Sequence, residues 1–259
     1  MQVASERYIR PSVPVRVAEA IQKVIVENGL KPGDKIPSER TLAATLSASR
    51  ASVREAVSML ETLGLLQVEV GRGAFVAEPA TFAPQDRWRF HADYSLKEIY
   101  EYRRAVEPVA LSMAARRFSP PDVAALRQSA EALADAARER NSVKAAEQDT
   151  IFHSMIYDQC GNRLLQEMHD RLEAAIQGSQ WVPMVIVEMM TDTAHEHMQV
   201  VLALEAGRIE AACSALVHHI ERAAYRCGIA ELGSWPPGQP VTVTPGLHAP
   251  TADNDGANK

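Results

Sequence analysis

The chain has 259 residues, of which 46% are hydrophobic and 23% charged, and its net charge is −6. This composition is typical of a soluble globular protein, and the length predicts two domains. No apolar run approaches the roughly 20 residues that span a bilayer, and the N-terminus lacks the apolar core of a signal peptide, so we expect a cytoplasmic protein with no membrane partner. The three cysteines have no Cys-x-x-Cys spacing, which argues against a disulfide framework or a cysteine zinc cage.

The first part of the chain is predicted to hold three helices. Apolar residues recur at helical spacing over residues 15–28, which predicts the first helix. Ser38 is placed to cap a second helix that continues to Leu46, because its hydroxyl can accept from the free N–H groups of a first turn. Ser49 is placed to cap a third helix, over residues 50–63, in the same way.

A β-hairpin is predicted directly after the third helix. Residues 65–70 have the composition of a strand, Gly71 and Gly73 belong to a tight turn, and residues 74–76 return as a second strand. Three helices followed by a hairpin predict a winged helix-turn-helix, to which we assign residues 8–77.

The rest of the chain divides into a linker, a helical domain and a tail. Residues 78–92 contain two prolines and no clear periodicity, which indicates a linker. Residues 93–232 are rich in Ala, Leu, Glu and Arg and are predicted to be almost entirely helical. Breaks between the helices are expected at residues 119–121, 161–162 and 207. Residues 233–259 have the composition of a disordered tail. The expected fold class is mainly α, with an N-terminal winged helix-turn-helix and a C-terminal all-α helical bundle.

Charge is unevenly distributed between these parts. Residues 1–76 contain 10 Lys and Arg against 8 Asp and Glu, whereas the rest of the chain contains 17 against 25. The excess of positive charge therefore lies at the end that is predicted to bind DNA, where phosphates attract Lys and Arg.

The start of the third helix has the residues of a DNA-recognition helix. Such a helix enters the major groove with its N-terminal end first, so its opening residues meet bases and phosphates. Arg50 and Arg54 are four residues apart on the face opposite the apolar stripe, and an arginine can bind the O6 and N7 atoms of guanine or clamp a phosphate. Ser49 and Ser52 can donate to phosphates beside the helix N-terminus.

Further contacts with double-stranded operator DNA are expected from the second helix and the wing. Arg40, near the start of the second helix, is placed to touch the DNA backbone. In the wing, Gly71 and Gly73 allow the chain to approach the sugar-phosphate wall, and Arg72 can reach the minor groove. A single surface arginine usually only solvates its helix, but the relative positions of this set favour DNA contacts.

These residues occur in an order that resembles the DNA-binding domain of the GntR family of bacterial regulators. The segments that carry the resemblance are Pro32-Gly33, Pro37-Ser38-Glu39-Arg40, Leu42-Ala43, Ser49-Arg50, Val53-Arg54-Glu55-Ala56, Leu60-Glu61, Gly64-Leu65, Gly71-Arg72-Gly73 and Val76. The resemblance implies a homodimer on a short palindromic operator. It also implies DNA contacts at the positions of Arg40, Ser49, Arg50, Arg54 and Gly71.

The helical domain contains one carboxylate and three histidines whose spacing suits a metal ion. Asp149 and His153 are four residues apart on a predicted helix, so their side chains project together. His197 lies 10 residues before Gly207 and His219 lies 12 after it, which places both at nearly the same level of a helical hairpin, about 15 and 18 Å from its turn. One carboxylate and three imidazoles suit Zn²⁺, Ni²⁺ or Mn²⁺. The alternative is that these histidines are hydrogen-bonded core residues.

The same region is similar to the FCD effector domain, the C-terminal half of the FadR-type subgroup of GntR regulators. The residues that carry the resemblance are Leu96, Ile99-Tyr100-Glu101, Arg103, Glu107, Asp149, Phe152-His153, Gly161-Asn162, Glu196-His197, Ala203-Leu204, Ala206-Gly207, Ala211-Ala212 and His219. The resemblance implies a divalent metal ion held by Asp149, His153, His197 and His219. It also implies a small carboxylate effector, such as a hydroxy acid, a sugar acid or a dicarboxylate.

Two further residues are candidates for binding the effector. Arg103 matches the pocket arginine of the family and can balance the charge of a carboxylate; the alternative is a surface salt bridge with Glu107. Asn162 can either cap the following helix or reach the pocket. His195 and His218 adjoin the ligand positions but are offset from their face, so we do not assign them to the site.

Three functions compete at this point. The favoured one is a metal-dependent, ligand-responsive DNA-binding regulator, most often a repressor, rather than an enzyme. The second is a metal-dependent hydrolase that uses the same Asp and three His, but the spacing of a His-Glu-x-x-His motif and an obvious general base are missing. The third is a regulator that responds to an acyl-CoA, which a polar, metal-centred pocket disfavours.

Overall fold

The computed structural model of the protein describes residues 12–77, 88, 90 and 92–232. The tail predicted to be disordered, residues 233–259, and most of the predicted linker lie outside the described residues. The first residue of the predicted winged helix-turn-helix, at position 8, also lies outside them. The assigned domain boundaries therefore stay predictions.

The N-terminal region folds as the predicted winged helix-turn-helix. Its elements are α1 (Val13–Glu27), α2 (Glu39–Thr45), α3 (Arg50–Thr62), β1 (Leu66–Glu69) and β2 (Gly73–Val76). The two strands pair antiparallel to form the wing. A single bridge between Lys35 and Phe75 ties the loop before α2 to this hairpin.

Serine caps fix the starts of all three N-terminal helices. The hydroxyls of Ser38 and Ser49 accept from backbone N–H groups of the first turns of α2 and α3, which confirms both predicted caps. Ser12 caps α1, which begins two residues before the predicted start. A proline is tolerated at position 14, in the first turn, because a first-turn N–H has no partner within the helix.

The core of the N-terminal region continues into the helical domain. Ile21, Leu42 and Val53 are buried at its centre and bring the three helices together. Met184 and Met190 of the helical domain belong to the same cluster of buried apolar residues. Apolar packing therefore joins the DNA-binding region to the helical domain, since burying such side chains is favourable wherever they lie in the chain.

The helical domain is built almost entirely from helices, as predicted. Its elements are α4 (Leu96–Ala115), α5 (Pro120–Arg138), α6 (Ser142–Gln159), α7 (Arg163–Trp181), α8 (Met190–Glu205) and α9 (Ile209–Arg226), with 3₁₀ turns at Val182–Val185 and Val187–Met189. Among the described residues, no helix is long and apolar enough to cross a membrane.

The predicted helix breaks are confirmed, and two more are found. The unpredicted breaks lie at Asn141 and at the two 3₁₀ turns between α7 and α8. At the first, Arg140 adopts a positive φ of 54°, and Asn141 caps α6 by accepting from the N–H of Lys144. At the second, Pro183 lies in the first turn after α7, where its ring cannot donate a backbone hydrogen bond.

The helices that matter for the site meet in the middle of the domain. The α8–α9 hairpin turns at Gly207, whose φ of +68° is a conformation that glycine adopts readily. Helix α9 packs on both α4 and α8, and α6 packs on α4. One face each of α4, α6, α8 and α9 is thereby turned toward a common interior.

Candidate metal centre and nucleic-acid interface

The four predicted metal ligands converge in that interior. Asp149 and His153 come from α6, His197 from α8 and His219 from α9, and all four residues are buried. One potential ligand atom from each lies within 4.8 Å of those from the other three. The prediction that two histidines face each other across the hairpin is therefore confirmed by the fold.

The spacing of the ligand atoms fits a single ion. The Nε2 atom of His219 lies 3.2 Å from Nε2 of His153 and 3.3 Å from Nε2 of His197. An oxygen of Asp149 lies 3.2 Å from Nε2 of His197. Nitrogen ligands about 2.0–2.1 Å from a tetrahedral zinc ion are about 3.3 Å apart. These ligand atoms therefore lie at the separations that are expected of atoms bound to one ion.

A buried carboxylate orients the first imidazole. Nδ1 of His153 donates to Oε2 of Glu107 at 2.6 Å, and Nε of Arg103 donates to the other oxygen of Glu107 at 2.8 Å. Burial raises the pKa of Glu107, but the adjoining Arg103 and His153 outweigh it and hold the pKa below its ordinary value. Glu107 is therefore an ionised acceptor that keeps the proton of His153 on Nδ1.

A second carboxylate orients another imidazole in the same way. Nδ1 of His219 donates to Glu196 at 2.9 Å, and the guanidinium of Arg226 donates to both oxygens of Glu196, at 2.8 and 2.7 Å. Burial raises the pKa of Glu196, but Arg226 and His219 outweigh it and lower the pKa to about 2. The proton of His219 is thereby also held on Nδ1.

These two carboxylates determine which ring nitrogens of His153 and His219 face the centre of the cluster. With Nδ1 protonated, Nε2 of a neutral imidazole carries a lone pair and no proton. The Nε2 atoms of His153 and His219 lie 3.2 Å apart, so two imidazoles that both carry their proton on Nδ1 would present lone pairs to each other. Such an arrangement is repulsive by itself and becomes favourable when a cation lies between the nitrogens.

The third imidazole is held mainly by packing. His197 stacks on Phe152, with 4.0 Å between ring centroids and 15° between ring planes. Its Nδ1 is buried and has no hydrogen-bond partner among the described residues. Burial lowers the pKa of His197, so this imidazole is neutral as well.

The electrostatics of the cluster favour its metal-binding protonation states. Burial, followed by the neighbouring His197, lowers the pKa of His219 to about 3. Burial raises the pKa of Asp149, but the adjoining His197 and the other nearby imidazoles outweigh it, so the pKa falls below its ordinary value. A carboxylate anion beside neutral imidazoles is the donor set that borderline divalent metals bind.

The predicted DNA-binding residues lie on an exposed surface of the N-terminal region. Arg40, Arg50 and Arg54 are all solvent-exposed, and the Nε atom of Arg54 approaches Glu39 only to 3.8 Å. The hydroxyls of Ser49 and Ser52 hydrogen-bond to each other at 2.9 Å at the N-terminus of α3. The start of α3 is therefore turned toward solvent.

The wing also presents a positive charge to solvent. Arg72 forms an ion pair with Glu69 and lies over the ring of Phe75, with its guanidinium carbon 5.4 Å from the ring centroid. Gly71 has a φ of +77°, and a Cβ built there would meet nothing within 4 Å. The tip of the wing is therefore open enough for a close approach by another molecule.

Comparison with known proteins decides the family. Residues 15–76 match the bacterial regulatory proteins of the gntR family, and residues 98–222 match the FCD domain. A probable D-xylose utilization operon transcriptional repressor of Paenarthrobacter nicotinovorans is 30% identical over 226 residues, covering 85% of this chain and 91% of that protein. The chain belongs to the GntR family. It is a DNA-binding transcription regulator with an FCD effector domain.

Two other similar proteins are a named regulatory protein and a solved structure of similar fold. A putative L-lactate dehydrogenase operon regulatory protein of Escherichia coli strain K12 is 28% identical to this GntR regulator over 226 residues, which cover 79% of this chain and 82% of that protein. The solved structure of E. coli McbR/YncC has a TM-score of 0.50 and 21% identity, covering 85% of this chain and 98% of that one. The solved structure supports the fold.

The two candidate effector residues of this GntR regulator have different surroundings. Arg103 adjoins the four candidate metal ligands, with Nη2 3.3 Å from Nε2 of His153 and Nη1 donating to Ser179 at 3.2 Å. The alternative of a surface salt bridge is wrong in one respect, because the pair with Glu107 exists but is fully buried. The Asn162 side chain accepts from two N–H groups of the first turn of α7, so the structure gives it the capping role and does not bring it to the cluster.

Three residues of functional interest were missing from the sequence prediction. Glu107 and Glu196 orient two ligands, yet neither was assigned to the site. Lys35 lies beside the wing, with its ammonium 5.8 Å from the centroid of the Phe75 ring, and adds an exposed cation near Arg72. Both glutamates belong to the residues that carry the FCD resemblance, but their spacing, Glu107 at i+4 from Arg103 and Glu196 next to His197, is common on helix surfaces and does not indicate a ligand-orienting role.

Proposed function

We propose that this protein is a homodimeric, ligand-responsive repressor whose FCD domain binds one divalent metal ion and a small organic acid. The ligands of the metal are Asp149, His153, His197 and His219. The observation that carries this proposal is the convergence of four buried ligand residues, in which the Nε2 atoms of His153 and His219 lie 3.2 Å apart and each ring has a carboxylate on its far side. A buried arrangement of this kind is costly unless a cation occupies its centre.

Zn²⁺, Ni²⁺ and Mn²⁺ are the metals that the donor set suits. Three imidazole nitrogens favour Zn²⁺ and Ni²⁺, and the carboxylate of Asp149 also accommodates Mn²⁺. An ion with more than four coordination positions leaves room for an effector carboxylate beside the protein ligands. When bound, the ion supplies a fixed positive charge that attracts an acid.

Arg103 is the residue that we assign to the effector. Its guanidinium has five N–H donors, of which Glu107 and Ser179 take two. The Nη2 donor is directed at Nε2 of His153, and it loses this acceptor when His153 gives its lone pair to a metal ion. Arg103 then has a buried donor at the edge of the cluster, and an acid carboxylate would satisfy it with a charge-assisted bond.

The names of two relatives support a small polar effector. One regulator is named for an L-lactate dehydrogenase operon and the other for a D-xylose utilization operon. Lactate is a hydroxy acid, which can offer both a carboxylate and a hydroxyl to a metal ion. We therefore favour a hydroxy acid or a sugar acid over an acyl-CoA as the effector, and repression as the mode of action.

The DNA-binding role is assigned to the exposed start of α3, the start of α2 and the wing. The residues that we propose to contact a double-stranded operator are Arg40, Ser49, Arg50, Ser52, Arg54, Gly71 and Arg72. Two copies would read the two halves of a palindrome, and an effector would change the spacing of the two recognition helices. Such a protein is expected to act in the cytoplasm, where bacterial DNA lies.

A metal analysis followed by a ligand screen tests this proposal. The purified protein should contain one divalent ion per chain, which a strong chelator removes. Small hydroxy, sugar and dicarboxylic acids are then screened by thermal shift on metal-loaded and chelated protein. An acid at about 100 times its Kd should stabilise the loaded form by about 2.7 kcal/mol and leave the chelated form unchanged.

The matched variant for the screen is Arg103→Lys. It keeps the charge but loses the planar fork, so stabilisation by the acid should fall while the metal content stays. A protein that binds none of the three metals, or an acid that stabilises loaded and chelated protein equally, would contradict the proposal.

A further inference from the structure

The loop between α1 and α2 runs beside the wing and adds a short extended segment to it. The backbone N–H of Ile36 donates to the carbonyl of Ala74 at 3.0 Å, and that of Val76 donates to a carbonyl of this loop at 2.9 Å. Between these bonds lies the antiparallel bridge of Lys35 with Phe75. Side chains paired across antiparallel strands lie on the same face, so the backbone register places Lys35 beside the Phe75 ring.

The side chain of Lys35 extends along the wing toward its tip. A Cβ built on Gly73, which is two residues nearer the tip than Phe75, would lie 2.9 Å from Cε and 3.4 Å from Nζ of Lys35. The lysine side chain therefore occupies the space that a side chain at position 73 would need. Its ammonium lies 5.8 Å from the centroid of the Phe75 ring, which is within the range of a cation–π contact.

A second cation lies on the same ring. The guanidinium carbon of Arg72 is 5.4 Å from the Phe75 centroid, and Arg72 also forms an ion pair with Glu69. Lys35 is exposed and forms no ion pair with any residue that the structure describes. Of the two cations on this ring, Lys35 is therefore the one whose charge no carboxylate neutralises by contact.

The contacts within the wing do not by themselves account for this placement of Lys35. A cation–π contact at an exposed site is weak, and holding a lysine side chain in one position costs conformational entropy of at least comparable size. Placing a second cation beside Arg72 also adds repulsion between like charges, which a nearby anion would relieve. The arrangement is therefore better suited to a bound anion than to the stability of the wing.

The chemistry of lysine indicates which part of DNA this anion belongs to. An ammonium is a compact point charge that binds a phosphate well but lacks the planar fork with which arginine reads guanine. Lys35 also lies along the side of the wing, behind the open tip at Gly71. A side chain placed there meets the sugar-phosphate backbone when the tip approaches a groove.

We infer that Lys35 is a further DNA-binding residue, which contacts a backbone phosphate beside the groove that Arg72 enters. This inference rests on the proposed DNA-binding role of the wing. Phosphate contacts fix the position of a protein on the duplex and carry no sequence information directly. Lys35 therefore determines how firmly the wing is held on DNA, and not which operator is bound.

The salt dependence of DNA binding by the full-length protein tests the inference. The probes are an operator selected from genomic fragments and a duplex of equal length and unrelated sequence. Lys35→Gln should reduce the slope of log affinity against log salt concentration by about 0.9, the value for one phosphate contact. The advantage of the wild type over the variant should thus shrink about eightfold for each tenfold rise in salt. Both duplexes should lose affinity by the same factor, within about twofold.

Two further lysine variants are the controls. Lys23→Gln removes an exposed lysine from α1, where its ammonium lies 3.6 Å from Glu27, and should leave the slope unchanged. Lys35→Arg keeps the positive charge and should restore the wild-type slope. Circular dichroism and thermal unfolding confirm that each variant is folded.

Arg72→Ala separates this inference from the proposed role of the wing. If Arg72→Ala weakens DNA binding and Lys35→Gln does not, the wing binds DNA but the inference about Lys35 is wrong. If neither variant has an effect, the wing itself is wrongly assigned and the inference is overturned with it. Equal changes of slope in Lys35→Gln and Lys23→Gln would also overturn it, because total charge rather than position would then account for the result.

Discussion

The two halves of this regulator use arginine in opposite ways. In the DNA-binding region, Arg40 and Arg50 are exposed at the start of their helices. In the FCD domain, Arg103 and Arg226 are buried, and each holds a carboxylate that in turn holds a histidine. The first kind is available to a large partner such as DNA, whereas the second kind holds the interior of the FCD domain in place, where Arg103 also adjoins the proposed effector site.

This difference shows why total charge describes such a protein poorly. The net charge of −6 is unfavourable for binding DNA, yet it includes arginines and glutamates that cancel each other in the interior of the FCD domain. Exposed arginines contribute through a field that salt screens, whereas buried pairs are screened much less. Variants that remove one kind should therefore leave the function of the other kind intact.

The largest expected effect is the loss of the metal ion from His197→Ala. Removing one of four ligands should weaken metal affinity more than about 100-fold, since even residues behind the ligands contribute 10–100-fold. Elemental analysis and a chelator competition measure this. His195→Ala is the control, because His195 is exposed two residues away on the same helix and should keep the metal. Equal metal content in both variants would contradict the ligand assignment.

Arg50→Ala should have the next largest effect, on DNA alone. Loss of a base contact should weaken operator binding by about 1–3 kcal/mol, or roughly 5- to 150-fold, while metal content is unchanged. The operator is first selected from genomic fragments with the purified protein, and affinity is then measured at several salt concentrations. Arg163→Ala also removes an exposed positive charge, but from α7. If both variants bound DNA equally well, the recognition helix would be wrongly assigned.

Glu196→Gln should have a smaller effect, on the metal alone. The amide cannot hold the proton of His219 on Nδ1 as firmly as the carboxylate does, so metal affinity should fall about tenfold. Glu221→Gln is the control, since Glu221 pairs with Arg104 rather than with a ligand. The metal affinities of both variants are measured by chelator competition. An unchanged affinity in Glu196→Gln would show that this carboxylate does not orient the imidazole.

The smallest expected effect concerns stability rather than binding. Ser49→Ala removes the cap of α3, which should lower the free energy of unfolding of the DNA-binding region by about 1 kcal/mol. Urea unfolding followed by circular dichroism measures this loss. Ser214→Ala, which removes a hydroxyl bonded within a helix interior, should be nearly neutral. A loss of equal size in both variants would contradict the capping argument.

Local signals predicted most of the fold. The serine caps at Ser38 and Ser49 and the turn at Gly207 depend on residues that are close together in the chain. The local sequence is therefore enough to predict them. The break at Asn141 was missed, because it depends on Arg140 adopting a positive φ that arginine seldom adopts.

The candidate site was predictable only in part, for a related reason. The similar heights of His197 and His219 in the helical hairpin could be predicted, because the rise per residue of a helix converts residue counts into distances. The partnership of Glu107 with His153 joins residues 46 positions apart and arises only when α4 packs on α6. Helical spacing also suggested a surface pair between Arg103 and Glu107, because periodicity does not tell how deeply a helix is buried.

The carboxylates behind His153 and His219 have one more consequence. In a zinc finger the chain folds only around its ion, so removing the ion removes the structure. Here the rings are aimed by Glu107 and Glu196 within helices that already pack together. If the proposed ion binds here, the regulator could release it and bind it again while staying folded, and operator binding would then depend on the supply of metal in the cell.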